Sequence, residues 1–308
     1  MPETNPRKPV PLRRRFTRSI SAATTLLLVV PAAAAAGALP PSLVGLFGLK
    51  AKGAVLIDAA DGRTMWAQDP GTARQPASAT KIMTALIVLD RPGTDLDREV
   101  TVEQAYADYV NREHASSADL QPGDRLTVRQ LLYALLLPSG CDAAFALADA
   151  FGTGITVTDR TRSFVRAMNE KARDLGLSET EFSSFDGVAE TGRNLTTPRN
   201  LAELARQAMK NATFRAIVGT AKTEQEAPAG NGRIRYYSWE NTNRLVGTHE
   251  GVVGVKTGTG KGAGPCLVFA ASWGGRTVIG VLLDDRNRYR DAEKLLSWAK
   301  VWTGPGGI

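Results

Sequence analysis

The sequence predicts an α+β fold: the N- and C-terminal segments pair as one antiparallel sheet, and an all-helical block is inserted between them. Three observations lead there. Residues 53–67 read as two short apolar strands around Asp61-Gly62, a hairpin-turn pair. The middle of the chain places apolar residues at helical spacing, punctuated by proline and glycine. After residue 230 the texture returns to strands, and residues 266–272 and 277–283 flank Gly274-Gly275, a second hairpin.

The first 38 residues read as a targeting segment. Arg7, Lys8, Arg13, Arg14, Arg15 and Arg18 stand against Glu3 alone, and residues 21–38 carry no charge. The leader thus holds +5 of the net +7, leaving +2, too little to argue for a nucleic-acid partner. Ile20 to Leu39 is apolar, and Ala36-Gly37-Ala38 fits a small-x-small cleavage site. Cleavage as a signal is the preferred reading, although the stretch is also about long enough to anchor the chain in a bilayer. Arg13-Arg14-Arg15-Phe16 weakly suggests twin-arginine export, and a plain basic region is the simpler reading. Either way the remainder is exported. Residues 39–51 form a linker, and 52–303 form one domain; a chain of 308 residues, 43% hydrophobic, buries a full core.

In the helical block, residues 82–89 follow Pro76 at a helix entry, and Thr127 caps a helix carrying Leu131, Leu132, Leu135 and Leu136. That helix stops at Pro138-Ser139-Gly140, and a small-residue helix starts near Cys141-Asp142. Asp159 is read as the cap of the next helix, and Thr197-Pro198 opens another with proline at its first position. Residues 233–239 and 251–257 are strands, and a final helix covers 289–302.

Three short patterns carry chemistry. Ser78-Ala79-Thr80-Lys81 puts a serine and a lysine three apart, on one face of a helix start. The helix dipole there favours an alkoxide, and an amine whose pKa is lowered by burial could take the hydroxyl proton. Ser139-Gly140-Cys141 sits in a tight loop between helices, and Lys256-Thr257-Gly258 ends a strand. Each alone reads as an ordinary solvated helix start, turn or strand end. His114 and His249 are the only histidines, without ligand spacing, so neither a metal site nor a Ser-His-Asp enzyme is expected, and lysine is the natural base.

Together, in this order, the three patterns resemble the S-x-x-K, S-x-N and K-T-G signatures of the penicillin-recognising serine enzymes. Pro138-Ser139-Gly140-x-Asp142-Ala143-Ala144 and Gly254-Val255-Lys256-Thr257-Gly258 make the chain look like the low-molecular-mass D-alanyl-D-alanine carboxypeptidases, over about residues 50–302. The resemblance implies a beta-lactamase/transpeptidase-like fold and no cofactor. It implies Ser78 as nucleophile, Lys81 as general base and Ser139 as proton relay. Lys256, Thr257 and Gly258 would bind substrate, with Thr259 and Ser78 donating backbone N–H groups to an oxyanion. The implied partners are a peptidoglycan stem peptide and, as inhibitors, β-lactam antibiotics. A D,D-endopeptidase would use the same site.

The sequence departs from the family at Cys141, where asparagine is usual. A thiol is a weaker donor and acceptor than an amide. Three readings stay open: a tolerated replacement in a working enzyme, a disulfide with Cys266 across the family's cleft, or a protein that only binds peptidoglycan. A class A β-lactamase is disfavoured, because Glu181 and Glu190 do not sit in that class's E-x-x-x-N pattern.

Overall fold

The computed structural model describes residues 48–188 and 193–301. The expected leader 1–38, most of the linker and Glu190 lie outside the described residues. Among those described, no helix is long and apolar enough to cross a membrane.

In chain order the elements are strands β1 (Gly53–Asp58) and β2 (Thr64–Gln68), a 3-10 turn (Ala77–Thr80), helix α1 (Lys81–Leu89), β3 (Glu99–Thr101), α2 (Gln104–Glu113), β4 (Arg125–Thr127), α3 (Val128–Leu136), α4 (Cys141–Phe151) and α5 (Val157–Asp174). There follow α6 (Pro198–Ala208), α7 (Ala212–Val218), β5 (Lys222–Pro228), β6 (Ile234–Glu240), β7 (Val252–Gly260), β8 (Gly264–Trp273), β9 (Arg276–Leu283) and α8 (Arg288–Val301). The main sheet is antiparallel, ordered β2-β1-β9-β8-β7, so strands from the N- and C-terminal parts of the described residues meet at the β1–β9 pairing, as expected.

Both faces of this sheet are covered, which is why its strands read as nearly continuous apolar runs. Val55, Ile57, Val268, Ala270, Ile279 and Val281 face the helical block, in one core with Ile82, Leu86, Leu201 and Phe214. The alternate residues Leu56, Leu267, Phe269 and Leu282 face α8 through Ala292, Leu295, Leu296 and Ala299. Leu49 and Ala51, at the end of the expected linker, are buried in this second core, and the Lys50 amide donates to the Asp291 carboxylate at 2.6 Å.

Local signals explain the helix starts. Thr127 and Gln130 form a capping box for α3. Thr197 caps α6 with Pro198 next to it. For α5 the cap is Thr156 rather than Asp159; the aspartate is the third residue of the same capping box and returns to the Thr156 amide. The strand expected at 233–239 belongs to a separate hairpin with β5, a segment whose charged, half-exposed pattern (Lys222, Glu224, Glu226) hides a strand in the sequence. Asp124 pins this hairpin to the body, accepting from Arg235 and from the Tyr237 hydroxyl, the latter at 2.6 Å.

Gly280 in β9 lies opposite Phe269 in β8, and a Cβ there would fall 2.0 Å from the Phe269 ring. The ring uses the space a side chain would fill. Gly280→Ala should therefore destabilise the protein by about 1–3 kcal/mol through overpacking. Thermal or denaturant unfolding checks this, and Phe269→Leu in the same chain should recover part of the loss.

Candidate active site

The first wall of the site is the turn that enters α1. Ala77 has a φ of +49°, and the 3-10 turn it begins leads straight into α1, with Ser78 half-buried and Lys81 0% exposed. The Lys81 Nζ lies 3.1 Å from Ser78 Oγ, 2.9 Å from the Asp186 carbonyl oxygen and 3.2 Å from Cys141 Sγ. The Lys81 Nζ can give N–H groups to the carbonyl and the sulfur, and once neutral it would keep its lone pair for the serine hydroxyl. This arrangement can draw the proton from Ser78.

The second wall is the loop between α3 and α4. Ser139 has a φ of +69°, and its carbonyl accepts from Ser116 Oγ at 2.6 Å. Its own Oγ is buried without a hydrogen-bond partner among the described residues. A buried hydroxyl left open in this way suits a group that arrives with a ligand. Asp142 fixes the facing loop, its carboxylate accepting from the amides of Ala118 and Leu120 and from Ser117 Oγ at 2.7–3.1 Å.

The third wall is β7, the edge strand of the sheet. It presses on the Ser78 turn so closely that a Cβ on Gly258 would lie 2.5 Å from the Pro76 carbonyl oxygen. That approach runs the Thr259 backbone alongside Ser78. Lys256 is 1% exposed and its Nζ donates to the Thr257 carbonyl at 3.2 Å. Burial holds this amine well below the ordinary lysine range, and the nearby charge of Lys81 lowers it further. Thr257 Oγ1 is 2.7 Å from Thr242 Oγ1, and the Thr242 amide donates to Leu137, two residues before Ser139. Arg288, from the start of α8, donates to the carbonyls of Gly258 (2.7 Å) and Cys266 (2.9 Å), stiffening the end of β7.

Lys81 therefore meets both Ser78 and Cys141, and Lys256, Thr257, Gly258 and Thr259 lie in the strand beside the Ser78 turn. The Cys141–Cys266 pairing is not made: both cysteines are free and buried. Cys141 Sγ is engaged by Lys81 and sits 3.5 Å from Ser116 Oγ, whereas Cys266 points to the carbonyls of Ala263, Gly264 and Gln75 on the other side of the Ser78 turn. Burial raises the Cys141 thiol, with the Lys81 charge as the main opposing influence, and raises Cys266 to about 11. Glu181 is exposed and only bridges Leu195 through its backbone. Among the described residues no cluster of His, Cys, Asp or Glu could hold a metal ion. Sequence reading gave no role to Ser116, Asp142, Asp186, Thr242 or Arg288. Asp142 alone had a local signal, an acid in the first turn of a helix.

Two expectations follow. The folded protein should show no fast-reacting thiol to Ellman's reagent, and two after denaturation without reductant; none after denaturation would restore the disulfide. For Lys256, the unfolded chain binds a proton that the folded chain resists, between the lowered folded value and about 10.4. Its contribution to stability is thus complete above that window and is lost as the pH falls through it. Lys256→Met should be more stable than the natural chain near pH ~7 and lose the advantage by pH ~10.5, as parallel denaturant titrations can measure; a gap independent of pH would contradict this.

Comparison with known proteins identifies the family. The D-alanyl-D-alanine carboxypeptidase family profile matches residues 41–287. The chain is 45% identical over 266 residues to the D-alanyl-D-alanine carboxypeptidase of Streptomyces sp. strain K15, covering 85% of this chain and 91% of that one. It is 30% identical to the carboxypeptidase DacF of Bacillus subtilis, covering 81% of this chain but 62% of DacF. A D-alanyl-D-alanine endopeptidase of Escherichia coli is 26% identical over 80% of this chain and 76% of its own. Among solved structures, the Streptomyces K15 DD-transpeptidase superposes with a TM-score of 0.81 at 45% identity, over 82% of this chain and 98% of that one. A penicillin-binding protein homologue from Mycobacterium tuberculosis gives 0.72 at 28% identity, over 84% and 94%. The chain belongs to the D-alanyl-D-alanine carboxypeptidase family, with the β-lactamase/transpeptidase-like fold.

Proposed function

We propose that this serine D,D-carboxypeptidase removes the terminal D-Ala of peptidoglycan stem peptides through an acyl-enzyme on Ser78. The observation that carries the reading is the 3.1 Å contact between Ser78 Oγ and the buried Lys81 amine, at the junction of the three motif-bearing segments. Ser78 Oγ attacks the carbonyl carbon of the penultimate D-Ala as its proton passes to Lys81. The Ser78 and Thr259 amides receive the oxyanion, an interaction worth about 3 kcal/mol for a single donor. The C–N bond then breaks, the leaving amine takes a proton through Ser139, and D-Ala departs. Water adds to the ester carbonyl and releases the shortened peptide.

Thr257 and Lys256 receive the substrate's terminal carboxylate. That anion favours the charged form of Lys256, reversing the effect of burial as the site fills. Cys141 acts as a neutral replacement for the usual asparagine: its sulfur accepts one Lys81 N–H while Ser116 lies within hydrogen-bond reach of the same sulfur. A β-lactam acylates Ser78 by the same route. The family's work on peptidoglycan places such enzymes in the cell envelope, and we assign export, and any association with the membrane, to the N-terminal segment.

Intact-mass analysis after incubation with penicillin should give one adduct, absent in Ser78→Ala, and the natural chain should release D-Ala from a D-Ala-D-Ala peptide. A folded protein that takes up no penicillin would favour the reading that it only binds peptidoglycan. An adduct without D-Ala release from the free peptide, together with cleavage of D-Ala cross-links, would favour an endopeptidase.

A further inference from the structure

The Lys81 amine is steered by a turn that none of the three motifs contains. Phe185-Asp186-Gly187 touches the catalytic segment at three points. The Asp186 carbonyl accepts from Lys81 Nζ at 2.9 Å. The Phe185 carbonyl accepts from Thr84 Oγ1, one helical turn along α1. Gly187 lies so close to the nucleophile's turn that a Cβ there would fall 2.0 Å from the Ala77 carbonyl oxygen. The turn thus holds the amine and the serine turn against each other.

What fixes this turn is a buried carboxylate. Asp186 is 0% exposed, and among the described residues its two oxygens accept from one donor each: the Val188 amide at 2.9 Å and the Tyr109 hydroxyl at 2.8 Å. A carboxylate taken out of water with only neutral donors is costly, and each donor it keeps counts for more than in solvent. Tyr109 reaches it from α2. Its ring stands edge-on to Phe145 of α4 at 5.3 Å and lies 5.7 Å from Phe185. Burial, then the Asp186 charge, push the Tyr109 hydroxyl far above its ordinary range, so it remains a donor wherever the enzyme works.

We infer that Tyr109 and Asp186 are positioning residues for catalysis: their side-chain hydrogen bond latches the 185–187 turn, whose backbone carbonyl aims the Lys81 amine at Ser78. The inference rests on the Ser78–Lys81 reading given above. Neither side chain touches substrate. Loss of the latch should therefore slow the acylation step and leave initial binding of the β-lactam or peptide intact.

Tyr109→Phe keeps the ring and its aromatic neighbours and removes only the hydroxyl. Stopped-flow acylation by penicillin at rising concentration separates the first-order acylation constant from the dissociation constant of the initial complex. The acylation constant should fall about tenfold, as expected for losing a hydrogen bond to a charged group, with the dissociation constant unchanged. Asp186→Asn should fall comparably. In the double variant the losses should not add, because both changes open one latch. An unchanged acylation constant in Tyr109→Phe, additive losses, or a loss of thermal stability without a kinetic effect would each overturn the inference. Failure of the underlying reading looks different: the natural chain itself would then form no adduct at Ser78.

Discussion

Two lysine amines, Lys81 and Lys256, are buried at one seam between the sheet and the helical block, and much of the local architecture answers that constraint. Taking an ammonium group out of water costs several kcal/mol unless its hydrogen bonds are replaced. Lys81 receives three polar neighbours from three separate parts of the chain: Ser78 in its own turn, Cys141 at the head of α4, and the Asp186 carbonyl. Among the described residues Lys256 receives only the Thr257 carbonyl, and burial drives it toward its neutral form. The seam therefore holds one well-coordinated amine next to Ser78. The other amine is under-coordinated, and a carboxylate entering the site can complete its environment.

The topology makes such a seam available. The β7 strand closes one edge of the five-stranded sheet, so among the described residues its far side has no strand partner and can face side chains from elsewhere. The Ser78 turn occupies that side, packed on Gly258 without an intervening side chain. Arg288 then ties the end of β7 to the start of α8, and Thr242 ties its middle to the segment before Ser139. Each wall is thus braced by a residue outside the motifs. This suits a site whose working geometry has to hold within a fraction of an ångström.

The parts of this plan that were legible in the sequence are those governed by local rules. Hairpin glycines, the Thr127 and Thr197 caps and the period of Leu131, Leu132, Leu135 and Leu136 each depend on neighbours in sequence, and the structure has them. The motif residues were legible through their order. The β5 strand was not, because its stability comes from pairing with β6 and from Asp124, more than 90 residues away, rather than from apolar alternation. Asp186, Thr242 and Arg288 were hidden for the same reason: each works through contacts set by tertiary folding, with nothing in adjacent residues to mark it. The cysteine pairing failed because facing motifs do not imply facing sulfurs. Cys266 partners Gly258 across the β7–β8 ladder and its thiol sits beyond the Ser78 turn from Cys141.

On the function proposed above, Cys141 lets an altered motif keep its role. An asparagine at this point would offer an amide oxygen and two N–H donors. The thiol offers one weak acceptor and one weak donor, and the structure has a use for each: Lys81 on one side and Ser116 on the other. Burial raises the thiol's pKa, so the sulfur stays neutral and adds no anion beside the amine that would favour an ammonium form. The replacement therefore weakens a hydrogen bond to the amine without adding a competing ion. Lys81 then depends more heavily on its remaining fixed partner, the Asp186 carbonyl, and hence on whatever holds that carbonyl still.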